Sequence, residues 1–257
     1  MPTVFITGTS SGIGRGTAKI FLQNGWNVAG TQLACDIGKE RELNLHPNCR
    51  LYELDVMDYK RIPDVAAQVV NDFGSIDVVI NNAGIGIMGP IEVADHEQIS
   101  RILEVNVVGY IMVIQAFLPY MRKARKGTIV NVGALGGRLV HPGLGFYNLT
   151  KAAIGALSEE LLLELAPLGI DVKLIEPSGV KSNLGTVGTD HLDPEAIEDY
   201  RYFYEVQMPQ TGDVVSGHVI GTDEYYPALE PEEMGEIIYH AAVDGNDTFR
   251  YQSGPHA

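Results

Sequence analysis

Short runs rich in apolar and β-branched residues recur along the chain, and longer stretches with helical spacing separate them. Each run is typical of a strand, and apolar residues at every third or fourth position between the runs predict amphipathic helices. The pattern therefore predicts an alternation of strands and helices. The predicted strands are "TVFIT" (3–7), "NVAGTQ" (27–32), "RLYELDV" (50–56), "DVVIN" (77–81), "TIVNV" (128–132) and "DVKLIEP" (171–177).

Several of these runs are nearly all apolar, as expected of strands that are covered on both faces. Strands of this kind that alternate with helices build a doubly wound parallel sheet, so the predicted fold class is α/β. No linker rich in proline and glycine divides the first 180 residues. We therefore expect residues 1–257 to form a single domain.

The pattern changes over residues 183–230, which are rich in acidic residues and tyrosines. Within this segment, Asp193 and Pro194 are typical of the N-cap and first position of a helix. We interpret the segment as a helical insertion over one edge of the sheet, on the substrate side. A helix over about 231–244 and a strand at "TFRYQS" are expected to follow it.

Composition excludes several classes of partner. A net charge of −15 disfavours binding to nucleic acid or to an anionic membrane. The two cysteines, Cys35 and Cys49, are too few for a disulfide framework or a zinc site, and indicate reduced thiols in a cytoplasmic protein. The first residues lack the pattern of a signal peptide, and no run approaches 18 uninterrupted apolar residues. We expect no metal and no membrane partner.

Two motifs that follow predicted strands indicate a nucleotide site. The motif "TGTSSGIG" (7–14) joins the first strand to a helix, where glycines let the backbone approach a pyrophosphate that the helix N-terminus stabilises. The alternative is a glycine-rich turn without a ligand. The motif "NNAG" (81–84) follows the fourth strand and is expected at the same edge of the sheet. The cofactor contacts predicted from the two motifs are Gly8, Ser10, Ser11, Gly12, Ile13, Gly14, Asn82, Ala83 and Gly84.

The residues that end the second and third strands bear on which dinucleotide binds. An acid at the end of the second strand would bind the ribose hydroxyls of NAD, whereas a base would pair with the 2′-phosphate of NADP. This chain has Gln32 and Leu33 there, and an unpaired phosphate is costlier to hold than an unpaired diol, so NAD is slightly preferred. Lys39 or Arg41 would reverse the preference by reaching back. Asp55 is either an acceptor for the adenine amino group or an exposed aspartate.

Tyr147 and Lys151 are four positions apart in a predicted helix, so their side chains are expected on one face. A nearby ammonium lowers the pKa of a phenol, which makes Tyr147 a candidate general acid and base for an alcohol or ketone oxygen. The alternative is that both side chains lie on a solvated helix face.

These motifs, in their order and spacing from residue 3 to about 185, resemble the short-chain dehydrogenase/reductase family. The resemblance implies a Rossmann-type fold and a nicotinamide cofactor, NAD or NADP. It implies that Tyr147 is the catalytic acid and base, that Lys151 lowers its pKa and holds the nicotinamide ribose, and that Asn106 orders a proton-relay water. It also implies pairing through helices at about 97–124 and 147–167, as a homodimer or homotetramer. Further expected cofactor contacts are Val56, Pro177, Ser178 and Val180.

Two positions depart from the family pattern. The family's catalytic serine lies thirteen residues before the tyrosine, where this chain has Ala134, and the family's Pro-Gly after the sixth strand is here Pro177-Ser178. Losing one preorganised donor typically costs about a hundred- to a thousand-fold in rate. Three interpretations of Ala134 are open: an engineered replacement of serine, a natural loss in a cofactor-binding protein without turnover, or a different hydroxyl supplied by the insertion.

The class of substrate is inferred from the aromatic residues of the insertion, and no sequence motif specifies it. Aromatic side chains in the insertion are candidates for a pocket that accepts a hydrophobic or cyclic secondary alcohol or its ketone, although at helical spacing such residues more often serve packing. A nicotinamide-dependent oxidoreductase is therefore the predicted function, and a non-catalytic NAD(P)-binding protein acting through a partner is the alternative. The candidate substrate contacts are Phe146, Leu184, Tyr200, Phe203 and Tyr204.

Overall fold

A seven-stranded parallel sheet forms the centre of the structure. The computed structural model describes residues 1–37, 39, 41–181, 184, 186–187, 198–207 and 228–254, without the side chains of 93, 186, 187 and 204. The strands of the sheet are β1 (Thr3–Ile6), β2 (Asn27–Gln32), β3 (Cys49–Glu53), β4 (Val78–Asn81), β6 (Gly127–Val132), β7 (Ile170–Pro177) and β9 (Arg250–Ser253), and a second sheet pairs β5 (Gly86–Ile87) with β8 (Thr186–Val187).

The order of the strands is β3-β2-β1-β4-β6-β7-β9, and every neighbouring pair is parallel. The order reverses between β1 and β4, which is the switch point at which open α/β sheets bind ligands. The predicted fold class, a doubly wound parallel sheet of the Rossmann type, is confirmed.

Helices connect the strands and cover both faces of the sheet. The α-helices include α1 (Gly12–Gln23), α2 (Arg41–Leu45), α3 (Arg61–Phe73), α4 (His96–Leu103), α5 (Gly109–Ala124), α6 (Gly145–Leu165) and α7 (Pro231–Val243). Shorter segments are π-helical at Glu104–Val108 and Phe203–Gln207, and 3₁₀-helical at Ile91–Val93, Leu135–Gly137 and Ala166–Leu168.

The core has two layers because successive strand residues point to opposite faces. Val4 and Ile6 of β1 are buried with Phe21 of α1 on one face. Phe5 is buried on the other face with residues of α3, α5 and α6, and its ring centroid lies 4.5 Å from that of Phe117. Both faces of β1 are therefore shielded from water, which explains why the strand is so uniformly apolar.

Helix α7 crosses α1 so closely that their backbones touch at glycine. A Cβ on Gly16 would lie 2.2 Å from the carbonyl oxygen of Pro231, and a Cβ on Gly235 would lie 2.9 Å from the backbone of Gly16. At the edge of the crossing, Lys19 Nζ donates to Glu232 Oε1 over 3.0 Å. The helix that follows the glycine motif is thus covered by a helix from far along the chain.

The structure adds two features to the predicted elements. The helical stretch expected at 97–124 is divided into α4 and α5 by the π-helical Glu104–Val108, and residues 86–87 pair with 186–187 as the small second sheet. The predicted helix start at Asp193 and Pro194 lies outside the described residues.

The stretch His96–Ala124 is, by length and composition alone, long and apolar enough to cross a membrane. A buried core helix meets the same criterion. In this structure Val113, Phe117 and Met121 of α5 are buried against the sheet.

Candidate active site

A cavity of about 600 Å³ lies at the carboxyl ends of the parallel strands, at the switch point between β1 and β4. Its walls come from the loops after β1, β2, β3, β4, β6 and β7. The structure therefore brings both glycine-containing motifs and the predicted catalytic residues to one place. The predicted site residues that line the cavity are Gly8, Ser10, Ser11, Gly12, Ile13, Gln32, Leu33, Asp55, Val56, Asn82, Ala83, Gly84, Ala134, Tyr147, Lys151, Pro177, Ser178, Val180 and Leu184.

The loop after β1 takes a backbone path that favours glycine. Gly8 and Gly12 have positive φ angles of 72° and 53°, which side chains rarely adopt. Gly14 was also expected to contact the cofactor, but it lies behind the loop, because a Cβ there would be 2.2 Å from the carbonyl oxygen of Gly8. Gly14 thus allows α1 to pack against the loop, while Gly12, at the helix N-terminus, faces the cavity.

The motif after β4 holds the glycine loop in position. Asn82 Nδ2 donates to the carbonyl oxygens of Thr7 and Gly8, over 2.9 and 3.1 Å. The backbone N–H groups of Asn82 and Ala83 both donate to Thr7 Oγ1. The two motifs are therefore one hydrogen-bonded unit, which fixes the backbone against which a pyrophosphate would lie.

Gln32, at the end of β2, has a buried amide that faces the cavity. Its side chain is 1% exposed, and among the described residues neither Oε1 nor Nε2 has a hydrogen-bond partner. Buried polar groups are nearly always hydrogen-bonded, so this amide is suited to a ligand that enters the cavity. The neighbouring walls contain Leu33, Asp36 and Asp55.

These features fit a dinucleotide cofactor. The glycine loop and the first turn of α1 would hold the pyrophosphate, and Gln32 would bond the hydroxyls of the adenosine ribose. Tyr147 and Lys151 lie on the opposite wall, beyond β4, where the reactive end of such a cofactor would be placed.

Tyr147 and Lys151 lie in the first turns of α6, on the same cavity wall. Lys151 is 5% exposed; its Nζ lies 5.5 Å from the centroid of the Tyr147 ring and donates to the carbonyl oxygen of Val132 over 2.7 Å. Tyr110 OH donates to the same oxygen over 3.1 Å. The spacing of four residues does place both groups at one site, as the sequence predicted.

The pKa of Tyr147 is shifted in the direction opposite to the predicted one. Removal from water raises the pKa of the Tyr147 phenol to about 12 and lowers the pKa of the Lys151 ammonium to about 8. Lys151 was expected to lower the pKa of Tyr147, but burial of the phenol, which penalises its ionised form, raises that pKa instead. Tyr147 is therefore held in its protonated form at neutral pH.

Ala134 follows β6 and precedes the 3₁₀ turn Leu135–Gly137, and it faces the cavity without offering a polar side-chain atom. The chain then passes through residues 138–144 and returns to α6. On this return His141 and Asn148 also line the cavity. Asn148 Nδ2 donates to the carbonyl oxygen of His141 over 3.1 Å, while Asn148 Oδ1 is buried without a partner among the described residues.

The family model for the short chain dehydrogenase matches residues 2–192, about three quarters of the chain. This chain belongs to the short-chain dehydrogenase family. It is an NAD(P)-dependent oxidoreductase.

Relatives of this short-chain dehydrogenase agree with the assignment. A 3-ketodihydrosphingosine reductase from Bacteroides thetaiotaomicron is 32% identical over 254 residues, covering 98% of this chain and 87% of the relative. The crystal structure of a short-chain dehydrogenase from Streptomyces avermitilis is 29% identical, has a TM-score of 0.82, and is matched over 98% of this chain and 88% of that one. The structure of ElxO with NADP bound has a TM-score of 0.77 at 22% identity, over 99% and 98% of the two chains, and shows the likeness of fold.

Asn106 lies outside the cavity wall of this short-chain dehydrogenase. It is fully buried in the π-helical segment; its Oδ1 accepts from the Ile85 N–H over 2.9 Å, and its Nδ2 donates to the Ile85 carbonyl and to Thr150 Oγ1. The side chain therefore fastens the loop after β4 to α6. The predicted role in ordering a relay water stays a prediction, and the polar atoms of this side chain serve other bonds.

Of the substrate residues predicted for this dehydrogenase, Leu184 lines the cavity, whereas Phe146, Tyr200 and Phe203 do not. Tyr200 OH donates to Glu92 Oε2 over 2.7 Å, and its ring packs against Phe203 at 6.3 Å, which is the packing role that the sequence left open. The side chain of Tyr204 lies outside what the structure describes. Sequence reasoning missed several apolar wall residues, because they follow no repeating pattern: Ile85, Met88, Val105, Leu135 and Leu144.

Proposed function

We propose that this dehydrogenase reduces a hydrophobic or cyclic ketone to its secondary alcohol, and catalyses the reverse reaction, with NAD as the preferred cofactor. One observation carries the proposal: the phenol of Tyr147 faces a cavity whose one end is lined by the nucleotide motifs and whose other walls are largely apolar. A ketone held there would have its carbonyl oxygen within reach of a protonated phenol.

When bound, the nicotinamide supplies a hydride to the carbonyl carbon. Tyr147 donates its phenolic proton to the carbonyl oxygen, so that the ketone becomes a secondary alcohol. The pKa of Tyr147 lies well above neutral pH, so the phenol is protonated before the reaction. The Lys151 ammonium next to the ring stabilises the phenolate that results, since an opposite charge nearby favours the ionised form.

The cavity walls support the class of substrate. Ile85, Met88, Leu135, Leu144 and Leu184 present apolar surface, which favours a substrate with a hydrophobic chain or ring. The relative from Bacteroides is named for the reduction of a 3-keto compound, and this agrees with a ketone as the reacting group.

The charge around Gln32 supports NAD over NADP. Asp36 is part of the cavity wall next to Gln32 and Leu33, and its carboxylate would repel a 2′-phosphate. Lys39, one of the two cations named as able to reverse the preference, is outside the wall, and its Nζ lies 3.3 Å from Asp36 Oδ1. Arg41 is exposed and is also outside the wall. The neutral amide of Gln32 is suited to a diol.

Turnover of a ketone panel tests the proposal. Cyclic and long-chain ketones are offered with NADH or NADPH, and the decrease in absorbance at 340 nm is followed. We expect turnover with NADH, a lower dissociation constant for NADH than for NADPH, and a loss of about a hundred- to ten-thousand-fold in kcat for Tyr147→Phe. Tyr120→Phe, which removes a hydroxyl outside the cavity wall, is the matched control and should leave kcat unchanged.

The outcomes separate the parts of the proposal. If neither dinucleotide raises the melting temperature, the nucleotide site is wrong, because a ligand of the native state stabilises it. A tenfold preference for NADPH reverses the choice of cofactor. Tight NADH binding without turnover of any ketone or alcohol would leave the non-catalytic alternative standing.

A further inference from the structure

One backbone carbonyl next to Tyr147 and Lys151 accepts hydrogen bonds from two side chains. Lys151 Nζ donates to the carbonyl oxygen of Val132 over 2.7 Å, and Tyr110 OH donates to the same oxygen over 3.1 Å. A carbonyl oxygen has two lone pairs, so both donors bind it at once. Val132 is buried, and a buried acceptor that loses every donor destabilises the fold. Either of the two donors is enough to prevent this.

Tyr110 is the donor that the fold holds in place. It lies in the first turn of α5, and its ring is buried with Ile154 of α6 and Leu174 of β7. Burial, and to a smaller extent charge on the neighbouring Tyr147, raises the pKa of its hydroxyl, so the hydroxyl keeps its proton. The Val132 carbonyl therefore has a donor that does not depend on Lys151.

Lys151 is the donor that the reaction attracts elsewhere. Its ammonium is a compact charge on a flexible stem. Nζ lies 5.5 Å from the centroid of the Tyr147 ring and 5.7 Å from that of the Tyr110 ring. Once Tyr147 has given its proton to the ketone, its phenolate attracts the ammonium, and the attraction grows as the distance between the charges shortens. A move toward Tyr147 gives up the bond to Val132.

We propose that Tyr110 is a positioning residue: it keeps the Val132 carbonyl satisfied, so that the Lys151 ammonium is free to leave it for the Tyr147 phenolate. The inference rests on the proposed function, because ketone reduction is what produces that phenolate. Tyr110 lies outside the cavity wall and acts on the reaction through Lys151. Without the Tyr110 hydroxyl, Lys151 either remains on the carbonyl or leaves a buried acceptor unsatisfied, and in both cases the phenolate is stabilised less.

Tyr110→Phe tests the assignment, because it keeps the buried ring and removes the donor. We expect kcat for ketone reduction at pH 7 to fall by about ten- to a hundred-fold, which corresponds to the penalty for an unsatisfied buried acceptor. The dissociation constant for NADH should be unchanged, because Tyr110 does not line the cavity. Tyr120→Phe removes a hydroxyl from the same helix, also outside the cavity wall, and should leave kcat unchanged.

The pH dependence of kcat separates this role from a structural one. Burial lowers the pKa of the Lys151 ammonium to about 8, so above this pH the group loses the charge that draws it to the phenolate. The ratio of kcat between the unaltered chain and Tyr110→Phe should therefore be largest at pH 7 and approach one toward pH 10. A structural defect would give a ratio that does not change with pH.

Other titratable groups do not disturb this comparison. The phenols of Tyr147 and Tyr110 are the titratable groups whose rings lie next to Nζ, and His141 lies on the same cavity wall. His141 and the other titratable residues of the wall are identical in the two chains, so their own effects on kcat cancel in the ratio.

A double-mutant cycle in urea unfolding tests the shared carbonyl without any substrate. Lys151→Met and Tyr110→Phe each leave one of the two donors on Val132, whereas the double variant removes both. We expect the urea midpoint of the double variant to drop by more than the two single drops together. Additive drops would overturn the assignment, because neither donor would then be replacing the other.

The kinetic outcomes distinguish the assignment from the proposed function. If the unaltered chain turns over a ketone and Tyr110→Phe has the same kcat at pH 7, or a loss that stays constant up to pH 10, the assignment alone fails. If every form binds NADH and none turns over any ketone, the proposed function fails and the role of Tyr110 in the reaction fails with it. Coupled unfolding in that case would mark the shared carbonyl as a purely structural feature.

Discussion

The buried ammonium of Lys151 sets how the folded chain responds to pH. The pKa of this group is about 8 in the folded chain, against an ordinary value of 10.5, because the ammonium has lost most of its water. Between these two values the unfolded chain binds more protons than the folded chain. The contribution of Lys151 to the free energy of unfolding therefore increases as the pH rises through this window.

Lys151→Met removes that dependence. We expect the free energy of unfolding of the unaltered chain, minus that of the variant, to be constant below about pH 8 and to rise toward pH 10.5, by at most about 1.4 kcal/mol per unit. Urea unfolding at pH 7, 8, 9 and 10 measures the difference. The Val132 carbonyl keeps Tyr110 OH as a donor in the variant, so it is not left unsatisfied. A difference that falls with pH would contradict the burial of the ammonium.

At the scale of single residues, the sequence predicts contacts between side chains that are close together on one helix. Tyr147 and Lys151 are one helical turn apart, so their convergence follows from their spacing. His141 and Asn148 come together because residues 138–144 fold back onto α6. The amide of Gln32, which has no hydrogen-bond partner among the described residues, is buried by other loops. Neither arrangement has a periodic signature, and for this reason the sequence did not reveal them.

Among the elements, the pair α1 and α7 depends on glycine where their backbones meet. Gly235→Ala places a methyl group 2.9 Å from the backbone of Gly16, and overpacking of this kind typically costs about 1–3 kcal/mol. Gly155→Ala is the matched control: it is also in a helix, but nothing lies within 4 Å of the added Cβ, so we expect a gain of about 0.5–1 kcal/mol from helix propensity.

Chemical denaturation of the two variants measures both effects. Equal stabilities of Gly235→Ala and Gly155→Ala would show that the helices can separate without cost. An additional loss of NADH affinity in Gly235→Ala alone would indicate that the displacement of α1 reaches the glycine loop at its N-terminus.

The sequence predicts the strands because their signal is local. It does not predict the π-helical segment, because contacts with distant residues anchor that segment. Runs such as Val78–Asn81 are apolar because both faces of a parallel strand are covered, and this signal is local. The apolar pattern through Glu104–Val108 does not distinguish α from π hydrogen bonding. The hydrogen bonds of Asn106 to residues 85 and 150, which anchor this segment, are long-range in sequence.

For the whole molecule, we propose that two copies pair through the outer face of α6 together with α4 and α5. Leu149 and Leu163 are 52% and 73% exposed on α6, which is apolar surface that water would disfavour. We expect Leu163→Arg to reduce the mass measured by sedimentation equilibrium to that of one chain. Leu45→Arg, at a position on α2 that is 80% exposed, is the control and should leave the assembly intact. A single-chain mass for the unaltered protein would refute the pairing.

The contact between α1 and α7 has a consequence during synthesis. Lys19 and Glu232, which meet at this crossing, are 213 residues apart in sequence. At roughly 5–20 residues per second, a ribosome makes α7 roughly 10–40 seconds after α1. During that time the buried face of α1, including Phe21, lacks part of its cover. The first nucleotide-binding element to leave the ribosome is thus among the last to be completed, so a nascent chain gains a finished cofactor site only after residues 231–243 have emerged.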